Sequence, residues 1–209
     1  MIAAGGAIAI SWIALFNMAY GESLDRSASQ SQDTAIASTQ NSDAELNEGD
    51  RIMLSQAELS CKADDYHGFV DAMIQSKAVQ RKYSAERIAF SVRDKSYKLV
   101  YQDVFPSKDY TYFPLMMVDY YRRPTVPARP GADDEYVVLE INQSQSDQLS
   151  VEWTRVRYDG KSEGGDDLGN ALNIDGTPYL AGGRVDGQLL FEAVEGCWNL
   201  VSDLRYERD

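Results

Sequence analysis

Acid–base chemistry in this chain would pass through very few side chains. His67 is the only histidine, and it stands beside Asp64 and Asp65, residue types that act as general acids and bases when held against a substrate. Asp65 and His67 are two positions apart, and helical side chains at that spacing point in different directions, so at most one of them could face a pocket. An exposed first-turn histidine beside a capping aspartate accounts for the same residues without any chemistry. A second cluster places Asp159, Glu163, Asp166 and Asp167 among Gly160, Gly164, Gly165 and Gly169. Calcium takes about six to eight oxygens from a loop that can curl in this way. The spacing does not match the EF-hand ladder, and a solvated loop is the plainer reading, so no metal is expected. Gly-rich phosphate loops, nucleophile elbows and Cys/His clusters are missing from the sequence, and no cofactor is expected.

Binding is better supplied than catalysis. The chain has thirteen tyrosines, and the aromatics concentrate in segments that alternate with a period of two. Sheet propensity and core filling explain most of them. A concave sheet lined by tyrosine hydroxyls would also hold a small amphipathic molecule, since ligand pockets are mostly apolar with a few polar anchors. Tyr110, Tyr112, Met116 and Trp153 are the candidate ligand-binding residues, with the segment from Tyr110 to Tyr121 as the expected wall.

The elements that must position these residues come in two groups. Tyr66, Phe69, Val70, Met73 and Ile74 share one face of a helix over about 65–75, which Asp64 or Asp65 can cap. A capping box at Ser55-Gln56-Ala57-Glu58 predicts a short helix before it, and Lys77 to Tyr83 predicts another after it, with Val79 and Tyr83 inward. Beyond Ser84 the period becomes two. Strands are predicted over 88–92, 97–104, 110–120, 136–142, 148–158, 188–194 and 198–206. Glu195-Gly196 reads as the tight turn of a closing hairpin. The prolines at 124, 127 and 130 stiffen a connection over 122–134, and 159–186 forms a second one. Helices followed by mostly antiparallel strands mean α+β, with the helices packed on one face of a curved sheet.

The stretch F-V-D-A-M-I-Q-S-K-A-V-Q-R-K-Y, followed by strands and a closing G-C-W-N-L-V-S-D-L-R, resembles the nuclear-transport-factor-two-like (SnoaL-like) superfamily. That resemblance implies a strongly curved, cone-like, mostly antiparallel sheet with a helix lying across it, and a homodimer. For an enzyme of this kind it implies an Asp, such as Asp65, working as general base with a Tyr inside the cone, in lyase, isomerase or hydrolase chemistry. The chain departs from the pattern in its shorter helical region and its extra Gly/Asp-rich loop. In a bent-sheet fold Cys61, before the main helix, and Cys197, at the start of the last strand, can be neighbours. They would form a disulfide or remain two buried thiols.

The N-terminus bears on compartment. Residues 1–21 carry no charge and include an apolar run from Ile2 to Phe16, ending in Ala19-Tyr20-Gly21. This reads as a signal peptide, or as an uncleaved signal anchor, and in the second case alone is a membrane expected. Residues 22–57 read as a disordered polar linker, and 58–209 as a single domain of ordinary size. The expected location is periplasmic or secreted. With a net charge of −13, the chain repels phosphate backbones, which excludes nucleic acid as a partner. The function expected is an exported, non-catalytic domain that binds a small molecule or a partner protein, and the cone-fold enzyme is the alternative.

Overall fold

A computed structural model describes residues 46–129, 131–145, 147–161 and 168–207, all within one compact unit spanning Asp43–Asp209. The signal segment and residues 22–45 of the expected linker lie outside the described residues. The first helix, α1, runs over Glu48–Lys62 and is capped by Asn47, whose side chain accepts from the Asp50 amide. The expected linker to residue 57 and the capping box at Ser55 are therefore corrected. Ser55 lies mid-helix, and the asparagine supplies the N-cap eight positions earlier, with Glu48 and Asp50 suiting the positive end of the helix dipole.

Asp65 then caps α2 (Tyr66–Gln75) by accepting from the Gly68 amide at 3.0 Å. Phe69, Val70, Met73 and Ile74 are buried, as the spacing predicts. Gly68 is demanded by the crossing with α1, because a Cβ there would stand 2.5 Å from Ser60 Oγ and 2.4 Å from Asp65 Oδ2. Ser76 caps α3 (Lys77–Lys82), which brings Val79 and then Tyr83 inward.

The strands are β1 (Ser84–Arg93), β2 (Leu99–Pro106), β3 (Leu115–Val118), β4 (Tyr121–Pro124), β5 (Tyr136–Gln145), β6 (Gln148–Tyr158), β7 (Ala171–Asn173), β8 (Gly187–Val194) and β9 (Cys197–Tyr206). They form a sheet of order β2-β1-β9-β8-β6-β5, with β7 pairing along the end of β6, and a separate β3–β4 hairpin. Only β1 and β9 pair in parallel; the other pairs are antiparallel, and the architecture is α+β. Glu195 and Gly196, both at positive φ, close the β8–β9 hairpin, the backbone that a two-residue hairpin turn requires.

The single strand expected over 110–120 is instead two strands and a turn. Pro114 has no N–H for a ladder, and Asp119 and Tyr120 both take positive φ to turn β3 into β4. Tyr110 and Tyr112 accordingly sit in the extended segment before β3. Phe69 and Met73 of α2 pack with Leu149, Val151 and Trp153 of β6, Leu189 and Phe191 of β8, and Leu200 of β9. Each such side chain contributes about 1.5–3 kcal/mol on full burial. Cys61 and Cys197 form a disulfide with Cα atoms 4.8 Å apart, fastening the end of α1 to the start of β9. Among the described residues no helix is long and apolar enough to cross a membrane.

Candidate functional site

The inner face of the sheet changes character along its length. Leu149, Phe191 and Leu200 lie in register across β6, β8 and β9 as an apolar row. The next row is Val151, Leu189 and Asp203, with Phe90 of β1 beside Asp203. The last row is Trp153, Gly187 and Arg205, with Val92 beside Arg205. A register shift at Leu190/Phe191 lets Trp198, Leu200 and Asp203 all be buried, although strict alternation along β9 would send Asp203 outward.

At this end a cavity of about 340 Å³ is bounded by Phe90, Val92, Trp153, Arg155, Asp186 and Arg205. Pro127 and Ala128, from the proline-bearing connection, close its far side. Glu135 holds that connection in place. Its carboxylate is 1% exposed and accepts from the Ala128 amide at 2.7 Å and the Arg129 amide at 3.3 Å. Arg155 adds a hydrogen bond from Nη2 to the Val126 carbonyl at 3.0 Å. A larger cavity of about 560 Å³ borders the same Ala128, but its walls at Asp175, Pro178, Leu180, Gly183 and Arg184 are exposed. The smaller one reaches buried polar groups and is the candidate site.

Two buried aspartates organise it. Asp203 is fully buried and takes hydrogen bonds from the Tyr110 hydroxyl at 2.7 Å and from Arg205 Nη2 at 2.7 Å. Arg205 also bonds the Tyr112 carbonyl and places its guanidinium 5.0 Å from the Phe90 ring centroid. Asp186, also fully buried, accepts from the Arg155 amide at 2.6 Å and from Arg155 Nη1 at 3.1 Å. Burial, reinforced by the Asp203 charge and hydrogen bond, drives the Tyr110 hydroxyl far above the usual tyrosine range. It stays protonated and donates. Burial works against the Arg205 charge, yet the Asp203 hydrogen bond and charge outweigh it and its pKa rises.

Trp153 is 2% exposed and lies under the Arg155 guanidinium, 5.3 Å from its ring centroid. Its indole Nε1 and Arg155 Nε are buried donors with no acceptor among the described residues. Gly187 makes room for the indole: a Cβ there would stand 2.6 Å from Trp153 Nε1 and 2.7 Å from the Leu204 carbonyl.

The candidate residues read from the sequence separate in space. Trp153 borders the cavity. Tyr110 lies behind Asp203, and Tyr112 stacks on Phe90 and Phe105 at the side. Met116 is 40% exposed on β3 and does not border the cavity. Asp65 is an exposed helix cap, and His67 is exposed, with its ring against Tyr66. Asp203, Arg205 and Asp186 were not singled out, because a bulge and a loop, neither marked by residue type, put them inside. Arg155 shares the alternating face of Val151 and Trp153, and that pattern was the available signal. In the acidic loop, Asp159 takes the Lys161 and Asn170 amides and closes the loop's neck; residues 162–167 lie outside the described residues.

An α+β domain with helices against a mixed sheet and a partly polar pocket at one end of its inner face is the class of protein these features define. The chain is similar to a solved NTF2-like protein of unknown function from Shewanella baltica, at 13% identity over 75% of this chain and 88% of the other, with a TM-score of 0.27. It is also similar to an NTF2-like protein of unknown function in nutrient uptake from Rhodospirillum rubrum, at 9% identity over 76% and 98% of the chains, TM-score 0.27. A third is a Nostoc punctiforme protein of unknown function with a cystatin-like fold, at 10% identity over 75% and 86%, TM-score 0.22. The first two carry the superfamily name that the sequence resemblance pointed to; the architecture itself rests on the strand order and packing described above. Neither a protein-family model nor a curated protein matches the chain.

Proposed function

We propose that this chain is an exported, non-catalytic binding domain that holds a small amphipathic molecule in the cavity over Trp153. The observation that carries the reading is the buried, unpaired indole N–H of Trp153 in a wall of mixed apolar and charged side chains. A buried donor without a partner costs about 1–3 kcal/mol, which an acceptor on a bound molecule would recover. Phe90, Val92 and Pro127 supply apolar contact, and the unpaired Nε–H of Arg155 offers a second donor to a ligand whose polar end accepts hydrogen bonds. Both aspartates are already engaged by arginines, and Tyr110 holds its proton, so the groups present suit binding better than proton abstraction.

Export fits the Cys61–Cys197 disulfide, which is consistent with an oxidising, extracytoplasmic location, and the signal-like residues 1–21. The test is native mass spectrometry of the protein recovered from an exporting host, alongside an Ala128→Trp variant that fills the cavity from its rim. An adduct of a few hundred daltons on the parent chain, absent from the variant at unchanged melting temperature, supports the reading; an adduct retained by the variant sinks it. A second reading, an enzyme using a pocket Asp and Tyr, is favoured by the 2.7 Å contact of Tyr110 with Asp203. It requires turnover of the recovered ligand that is abolished in Tyr110→Phe.

A further inference from the structure

Tyr110, whose hydroxyl reaches Asp203, also lines a notch of about 110 Å³ between α3 and the turn at Ser107–Asp109. Lys77, Arg81 and Lys108 line it, together with Ser84, Ser107 and Thr111. No carboxylate lines it, in a chain with 33 acidic residues against 20 basic ones. Among the described residues none of these three cations has an ion-pair or hydrogen-bonded partner. The Ser107 and Thr111 hydroxyls are likewise uncommitted, whereas the Ser84 hydroxyl spends its proton on the Gln80 carbonyl.

The geometry points to a small-oxyanion site: the notch binds a tetrahedral phosphate or sulfate group, held by Lys77, Arg81 and Lys108 and oriented by the Ser107 and Thr111 hydroxyls. Two physical arguments choose this class. Convergent cations with no internal acid leave a local positive field in an otherwise acidic surface, and such a field concentrates anions. The size excludes larger ligands: the notch has room for only a few water volumes of ~30 Å³, well below the ~300 Å³ of an ordinary small-molecule pocket. Charge-assisted hydrogen bonds to a doubly charged oxyanion are about twice as strong as neutral ones, so a small site can still bind measurably. The group could be a free oxyanion or the terminal group of a larger molecule whose remainder stays in solvent.

The experiment is an amide NMR titration of the full folded domain with sodium phosphate at about pH 7, with sodium chloride at matched ionic strength as reference. Saturable shifts at Ser84, Ser107 and Thr111 with a Kd near ~1 mM, not reproduced by chloride, are expected. Arg81→Ala/Lys108→Ala should weaken phosphate about tenfold or more, while Lys98→Ala, an exposed cation just before β2, should leave it unchanged. Phenyl phosphate binding more tightly than inorganic phosphate identifies the terminal group of a larger molecule; equal or weaker binding identifies the free ion. Non-saturating shifts, shifts matched by chloride, or shifts that persist in the double variant overturn the proposal. The two cations are exposed and unpartnered, so the double variant is expected to keep the parent melting temperature.

Discussion

At the scale of single residues, Asp203 governs the pocket end of the sheet. It is the one carboxylate that ties Tyr110, from the segment before β3, to Arg205 of the same strand. Asp203→Asn leaves a buried guanidinium without its counter-charge, and denaturant unfolding should show a loss of about 3 kcal/mol. Tyr110→Phe removes only one hydrogen bond to that carboxylate and should cost about 1.5 kcal/mol. If the two variants cost the same, the Arg205 contact contributes nothing and the account is wrong. Glu140 offers a pH handle. The Tyr179 hydroxyl at 2.7 Å and then the Gly182 amide hold its carboxyl below the ordinary 4.5. A lowered folded pKa means that this stabilisation is complete above the unfolded value and is lost as pH falls through the folded one. Glu140 is largely solvated, so the effect is small. Melting curves between about pH 6 and pH 3 should drop more steeply for the parent than for Glu140→Gln.

At the scale of elements, the seating of β8 between β6 and β9 depends on Gly187. A Cβ there meets both an indole and a backbone carbonyl, and the carbonyl cannot rotate away. Gly187→Ala should therefore destabilise by about 2 kcal/mol and shift the emission of Trp153, read in a Trp12→Phe/Trp198→Phe background. An unchanged spectrum and stability would show that the strands separate freely at this point. The predicted elements and the observed ones agree where periodicity is long. The apolar face of α2 and the alternation of β6 were legible because each repeats several times. The break at Asp119–Tyr120 was not: residues other than glycine take positive φ there, and nothing in their types announces it. Strand β7, only three residues long, was hidden inside the Gly/Asp-rich connection because its order comes from pairing with β6.

At the scale of the whole molecule, the disulfide closes a separation of 136 residues and joins the helical layer to the last strand. On the chain-entropy model, reducing it releases up to about 5 kcal/mol of constraint on the unfolded chain. A thiol reductant, or Cys61→Ala/Cys197→Ala, should lower the melting temperature by more than any single substitution above. An unchanged transition would mean that the constraint acts equally on both states. The notch makes a prediction about salt: oxyanion binding at Lys77, Arg81 and Lys108 should weaken with added salt, because screening acts on exposed cations.

Much of this protein follows from local pattern alone: helices before strands, the register of α2, the closing hairpin at Glu195-Gly196, and the signal-like start. These depend on spacing within a few turns or strand repeats, which a single chain displays directly. The pairing of Cys61 with Cys197 was one of two readings until the end of α1 met the start of β9. The pocket was decided by tertiary structure. A bulge turned Asp203 inward, Gly187 admitted the Trp153 indole, and Glu135 drew the proline connection across the opening. The first two bring together residues far apart in the chain, the third residues six or seven positions apart, and each has an energy that exists only once the sheet has formed.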